Sequence, residues 1–155
     1  MRIEYFQLID EIAEIRPEDG LIRTRATIPQ ESTIFEGHFP GHPLMPGVLL
    51  VESMAQTSGY LVLTVNKFDR MPFLAGVRDA KFRTFVVPGD VLDLEARMEH
   101  DGSGYAMTEA SVKRDGKAIC DARLTFRVMP FPTPDFRTLM TENALRLGYP
   151  EELVT

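Results

Sequence analysis

Alternation of apolar and polar residues with a period of two dominates the second half of the chain. Between residues 91 and 99, Leu92, Leu94, Ala96 and Met98 alternate with Asp93, Glu95, Arg97 and Glu99. The sequence Asp101-Gly102-Ser103-Gly104 then separates this run from one over residues 105–112, and Asp115-Gly116 leads into a third over residues 118–129. In the third run Ala118, Cys120, Ala122, Leu124, Phe126 and Val128 fall on one face, with Asp121, Arg123, Thr125 and Arg127 on the other. Such alternation, joined by glycine-containing turns, predicts antiparallel hairpins with one covered face and one wet face. Residues 21–28 read as a further strand, with Ile22, Thr24, Ala26 and Ile28 inward and Arg23, Arg25 and Thr27 outward. Residues 73–87 read as another, ended by Pro88-Gly89-Asp90. Residues 3–15 fit an opening strand or a helical turn equally well. After Pro130, Thr133 as N-cap, Pro134 in the first turn and Gly148 as the stop bracket a short helix over residues 135–147.

Residues 46–65 break this pattern. Pro46 can open a helix but not sit inside one. Val48, Leu49, Leu50, Val51, Met54, Ala55, Tyr60, Leu61, Val62 and Leu63 cover every side of the helix that follows. Twenty helical residues span about 30 Å, and a helix apolar all round belongs in a core or a membrane. Glu52, Gln56, Thr57, Ser58 and Gly59 interrupt the run, and soluble-type strands surround it, so a membrane span is not expected. The fold class expected is α+β, an antiparallel sheet wrapped round one long central helix.

Composition narrows the field further. The chain has 155 residues and a net charge of -6, a length typical of one domain and a balance unsuited to nucleic-acid binding. A single cysteine, Cys120, allows no internal disulfide and fits a reducing compartment. Glu4, Asp10, Glu11 and Glu14 stand where a secretory signal would need a basic and then apolar start, so a cytoplasmic location is expected.

Candidate chemistry gathers at the start of the central helix. Glu52 is the only charged residue in residues 46–65, and Val48, Glu52, Gln56 and Gly59 share a stripe. A carboxylate there must be paired, protonated, open to a cavity or, at the helix start, reaching solvent. Upstream, three prolines and three glycines within residues 36–47 predict a stiff, irregular loop from Phe35 to Val48 that carries His38. The backbone N–H groups of Gly47 and Val48 are orphan donors at the positive end of the helix dipole. A candidate base, acid and oxyanion donors thus lie within fifteen residues. His38 and His42, with Glu36, do not form a metal site of the helical His-x3-His kind, because Pro40, Gly41 and Pro43 prevent the helix. Cys120 alternates with core residues and reads as a small hydrophobe, not a nucleophile.

The run Gly37-His38-Phe39-Pro40-Gly41-x-Pro43-x-Met45-Pro46-Gly47-Val48-Leu49, then Glu52-x-Met54-Ala55-Gln56, resembles the active-site segment of the 3-hydroxyacyl-[acyl-carrier-protein] dehydratases. Phe73-x-Ala75-Gly76, Lys81-Phe82 and Val86-Val87-Pro88-Gly89-Asp90 follow in the order of that family. The resemblance implies the hot-dog fold over residues 1–130, with residues 131–155 as a C-terminal extension. It implies a dimer with two shared active sites, which many members extend to a hexamer. His38 would be the base and Glu52 its acidic partner from the opposite subunit. The Gly47 N–H, beside that of Val48, would hold the thioester carbonyl, and Gln56 would support Glu52, with Phe39, Pro46 and Gly59 shaping the site. Glutamate at position 52 resembles the plain dehydratase branch; the isomerising branch typically carries aspartate there.

Dehydration exchanges no electrons, so the resemblance implies no metal, flavin or nicotinamide cofactor. The substrate would arrive on acyl carrier protein, an acidic partner, and Arg78, Lys81 and Arg83 are the densest basic cluster to receive it. The same residues also suit an ordinary solvated strand face. The usual segment before the second strand is absent and the tail after Pro130 is long. Together with Phe6-Gln7, Ser53, Asp101-Gly102-Ser103-Gly104 and Met129-Pro130-Phe131, this resembles a branch serving very-long-chain hydroxyacyl groups for lipid A. Two other readings stay open: a hot-dog acyl thioesterase, and a non-catalytic acyl-chain or carrier-binding module.

Overall fold

The alternating runs form hairpins as the pattern requires. In the computed structural model, which describes residues 1–154, β4 (Val91–Gly102), β5 (Tyr105–Arg114) and β6 (Lys117–Pro130) are consecutive antiparallel neighbours. Each link is a two-residue turn with both residues at positive φ: Ser103 (56°) and Gly104 (80°), then Asp115 (51°) and Gly116 (75°). That geometry matches the twist of the flanking strands and favours Gly and Asp. β1 (Glu11–Arg16) and β2 (Leu21–Thr27) pair with each other, β2 joins β4, and β3 (Arg70–Phe82) joins β6. The result is one six-stranded antiparallel sheet in the order β1-β2-β4-β5-β6-β3.

α2 (Gly47–Val65) lies in the curl of this sheet and contacts β2, β3, β4, β5 and β6. Ile22, Ala26, Leu92, Leu94, Ala110, Leu124 and Phe126 pack against its Leu50, Met54, Leu61 and Val62 in one continuous core. This is the hot-dog arrangement, α+β in class. Gly47–Val65 is long and apolar enough to cross a membrane by length and composition, but here the sheet wraps it. Its polar residues fasten the helix to the sheet. Thr57 and Thr24 share a buried hydrogen bond of 2.8 Å, Thr57 Oγ1 also lies 2.9 Å from the Ser53 carbonyl, and the Thr108 hydroxyl donates to Ser58 Oγ at 2.8 Å. Small hydroxyl residues allow helix and sheet to approach closely, and pairing removes the cost of burying them.

Five details depart from the pattern. Residues 3–15 use both available forms, a 3-10 turn at Ile3–Tyr5 followed by β1. β3 begins at Arg70 and stops at Phe82 rather than running from 73 to 87. Its partner runs out there: Phe82 lies opposite Cys120 and the Arg83 N–H reaches the Ile119 carbonyl near the start of β6, after which Val86 sinks into the core. A register shift between Val112 and Lys113 in the β5–β6 pairing leaves Ala118 exposed and buries both Ile119 and Cys120. Phe35 to Gly37 belong to a short helix, α1 (Thr33–Gly37), because the Ser32 hydroxyl caps it by accepting from the Ile34 N–H; the irregular loop starts at His38. Lastly, α2 is not covered all round. Val48 is 73% exposed, and Glu52, Gln56 and Gly59 on the same stripe are only half-buried.

Beyond Pro130, α3 (Pro134–Arg146) starts on Thr133, whose hydroxyl accepts from the Phe136 N–H at 3.2 Å, and Gly148 at φ 88° turns the chain away. This segment packs onto the same core through Ala144, Leu147 and Tyr149. The Tyr149 hydroxyl donates to Thr64 Oγ1 at 2.8 Å, and Arg137 donates to the Phe68 carbonyl at 2.7 Å.

Candidate active site

Two stretches meet at the N-terminal half of α2. The first is the loop after α1. The His38 ring is fixed by its Nδ1–H donating to the Leu44 carbonyl at 2.9 Å, while the Leu44 N–H returns to the His38 carbonyl at 2.9 Å. A carbonyl can only accept, so Nδ1 carries a proton, and in the neutral ring the Nε2 lone pair is left free, the form a base needs. The Phe39 ring stacks on the imidazole at 4.2 Å between centroids. Phe39 and His42 exchange backbone hydrogen bonds at 2.9 and 2.8 Å, which closes the turn, and the Met45 N–H joins the Val86 carbonyl to tie the loop to the core.

The second is α2 itself. Pro46 is the N-cap, and its carbonyl accepts from the Leu49 and Leu50 N–H groups at 3.0 and 3.3 Å. The Gly47 and Val48 N–H groups belong to the first turn, where no intrahelical acceptor exists. A side chain on Gly47 would place its Cβ 3.0 Å from the Phe82 ring, so that ring packs against bare backbone. One turn on, Glu52 Oε1 accepts from Gln56 Nε2 at 3.2 Å. Gln56 is shared: Nε2 also donates to the Phe6 carbonyl at 2.8 Å, and Oε1 accepts from the Leu8 N–H at 3.2 Å. The carboxamide thus holds the N-terminal segment against α2 and orients Glu52.

Glu52, Gln56 and Gly59 line a cavity of about 310 Å³. Its other walls are the N-terminal segment (Tyr5, Phe6), β3 and β6 (Pro72, Leu74, Phe126) and α3 (Asn143, Arg146). His38 is not among its lining residues, and no hydrogen bond joins His38 to Glu52 within the chain among the described residues. Within one protomer, then, neither a hydrogen bond nor this cavity joins the two halves of the candidate pair among the described residues. The basic cluster is less uniform than its spacing suggests. Arg83 is paired with Asp121, Arg78 lies opposite Arg123, and Lys81 shares a depression with Asp79, Glu109 and Asp121. Among the described residues no group of three or more His, Cys, Asp or Glu converges as metal ligands would. Burial pushes the Cys120 thiol up to about 12, with Asp121 adding to the effect and Arg83 opposing it.

The sequence did not disclose the residues α3 contributes. Met140, Asn143 and Leu147 sit at i, i+3 and i+7, one helical stripe, which was the available signal. Tyr60 was read only as apolar filling, yet it lines the cavity and burial raises its phenol to about 12.

Comparison with known proteins gives a consistent picture. A FabA-like domain matches residues 2–123. The 3-hydroxyacyl-[acyl-carrier-protein] dehydratase FabZ of Lactobacillus helveticus is 39% identical over 126 residues, 80% of this chain and 83% of that protein. The FabZ of Ligilactobacillus salivarius is 41% identical over 123 residues, 78% of this chain and 86% of that one. Among solved structures, a hypothetical thioesterase from Streptococcus pneumoniae with coenzyme A superposes with a TM-score of 0.63 at 17% identity, covering 79% of this chain and 88% of that one. A conserved protein from Pseudomonas aeruginosa gives a TM-score of 0.63 at 22% identity, covering 81% and 91%. At these identities the structural likeness establishes the fold alone.

Proposed function

The chain belongs to the FabA-like domain family, among its 3-hydroxyacyl-[acyl-carrier-protein] dehydratases, and we propose that it removes water from a (3R)-3-hydroxyacyl thioester to give the trans-2-enoyl thioester. The observation that carries this reading is the His38 imidazole, held by Leu44 so that Nε2 is free, beside a helix whose first turn offers unpaired N–H groups. The Gly47 N–H, with Val48 beside it, binds the thioester oxygen and stabilises the negative charge that develops there; one such donor is worth about 2.7–4 kcal/mol of barrier. Nε2 of His38 takes the C2 proton, a contribution of about 10²–10⁴-fold. The C2–C3 double bond forms as the C3–O bond breaks, and Glu52 delivers its proton to the departing hydroxyl, which leaves as water. His38 then loses its proton and Glu52 regains one through solvent, closing the cycle. Phe39 and Pro46 shape the loop side of the site and Gln56 keeps Glu52 aimed.

The base and acid work across a dimer, His38 from one protomer and Glu52 from its partner. That no hydrogen bond or shared cavity joins them within one chain, among the described residues, supports this. So does β3, one of the two edge strands, whose free edge spans 13 residues and which leaves Phe73, Leu74, Val77 and Phe82 exposed. A long apolar edge of this kind is normally paired or covered. Val48, exposed on α2, fits the same contact. Further assembly to a hexamer, a cytoplasmic location and docking of acyl carrier protein on Arg78 and Lys81 complete the proposal; Arg83, neutralised by Asp121, contributes less. The long tail and altered N-terminal segment favour the branch that handles very-long-chain acyl groups for lipid A.

His38→Ala and Glu52→Gln should each abolish hydration of a trans-2-enoyl thioester, while mixing the two inactive variants should restore part of the activity through hybrid dimers with one intact site. Full turnover by either variant alone would remove the assignment; dead mixtures would place both groups in one protomer. Release of free thiol without enoyl product would identify a thioesterase.

A further inference from the structure

The stretch that carries His38 is lightly tethered. Ile28 is fastened by its N–H to the Asp90 carbonyl and Met45 by its N–H to the Val86 carbonyl, both at 2.8 Å. Between these points, among the described residues, every hydrogen bond that leaves residues 29–44 ends on the Glu4 carboxylate. Glu4 Oε1 accepts from the N–H of Thr33, the first residue of α1, at 3.2 Å. The Ser32 hydroxyl, whose oxygen accepts from the Ile34 N–H at 3.1 Å, gives its own proton to the same carboxylate. That bond first, with backbone N–H groups and Arg2 after it, holds the Glu4 carboxyl below the ordinary carboxylate range. An anion at the start of a helix also suits the positive end of its dipole.

α1 has five residues, far below the about 12–15 at which a helix is even marginally stable by itself in water. Its place is therefore set by what grips it. Phe35 seats it in the core, where α1 touches the turn Ile3–Tyr5, and its last bond runs from the His38 N–H to the Ile34 carbonyl at 3.0 Å. One helical turn thus carries the position of Glu4 to the backbone of His38. Glu4 in turn stands on a closed loop. The Phe6 N–H returns to the Ile3 carbonyl at 2.9 Å, Arg2 and Gln7 exchange backbone bonds at 2.8 and 3.1 Å, and Gln56 of α2 grips Phe6 and Leu8.

We infer that Glu4 is a positioning residue for His38, acting through Ser32 and Thr33 at the head of α1. The inference rests on the dehydratase reading and its shared sites, in which His38 and Glu52 of one chain serve different sites. Without Glu4 the head of α1 frays, and the loop that carries the imidazole swings about the Met45 anchor. The Gly47 and Val48 N–H groups lie beyond that anchor and keep their place. The loss therefore falls on proton abstraction, in kcat. Glu4 is exposed, so its removal leaves the core intact.

The test uses hybrid dimers of the full chain. Mixing His38→Ala and Glu52→Gln chains gives dimers with one intact site, built from the His38 of the E52Q chain and the Glu52 of the H38A chain. Glu4→Ala is then added either to the E52Q chain, which supplies the base, or to the H38A chain, which supplies the acid. Both mixtures contain the same substitutions, so a general loss of stability or assembly lowers both alike. For hydration of a trans-2-enoyl thioester, kcat per hybrid dimer, counted by native mass spectrometry, should be about tenfold lower when Glu4→Ala lies on the chain that supplies the base. A ratio under threefold between the two arms overturns the inference. A dead reference mixture beside an active unaltered protein overturns the shared sites, and no turnover by the unaltered protein overturns the dehydratase reading; the inference falls with either.

Discussion

Replacing Gln56 by Met tests whether one side chain serves both the fold and the site. Met keeps nearly the same length and volume but removes all three hydrogen bonds of the carboxamide, to Leu8 N–H, the Phe6 carbonyl and Glu52. Leu8 is fully buried, so its N–H finds no water in exchange; an orphaned donor of this kind costs about 1–3 kcal/mol. The Phe6 carbonyl and the Glu52 carboxylate reach solvent, so each of those bonds is worth only about 0.5–1.5 kcal/mol, toward the lower end. The sum is about 2–4 kcal/mol, which for a chain of this size lowers Tm by roughly 5–12 °C. Glu52, released from its donor, should also lose aim, and a misplaced catalytic group costs up to about a hundredfold. Differential scanning calorimetry at fixed protein concentration reads the first effect, and kcat for enoyl hydration reads the second. A fall in Tm under about 2 °C would show that Gln56 does not hold the N-terminal segment. Unchanged kcat beside a large fall in Tm would show that it holds the segment but does not position Glu52.

Two further outcomes follow from buried groups away from the reacting carbons. Tyr149→Phe removes the hydroxyl that donates to Thr64 and should lower stability by about 1 kcal/mol, read as a shifted urea midpoint with an unchanged slope; no shift would mean that bond does not anchor the C-terminal segment. Cys120, with its folded-state thiol raised from 9.0 to about 12, stays protonated in the fold where an unfolded chain begins to ionise. Its contribution to stability is therefore complete below about pH 9 and is lost as pH rises from there toward 12. A thiol reagent at pH 8 should label it only as fast as the protein unfolds, and rapid labelling of the native protein would contradict its burial.

Much of the fold was legible in local pattern. The alternation of Leu92, Leu94 and Ala96 with Asp93, Glu95 and Arg97 fixed which face of β4 is buried, since a strand's side chains alternate whatever surrounds it. Thr133, Pro134 and Gly148 bounded α3 within a residue or two, because caps are set by neighbours in the chain. The run from His38 to Gln56 likewise placed the candidate base, oxyanion donor and acid by their order. Tertiary structure decided the rest. Where β3 stops depends on where β6 begins, and whether Ile119 or Ala118 points inward depends on a register shift between two strands. Thr57 and Ser58 looked like interruptions of an apolar helix until Thr24 and Thr108 met them from the sheet. Tyr60, Asn143 and Arg146 lie more than eighty residues apart at their extremes, and no periodicity within either segment could reveal that they share a cavity. Periodicity and capping are local properties of the chain, whereas a cavity exists only between elements, so it appears only once they have packed.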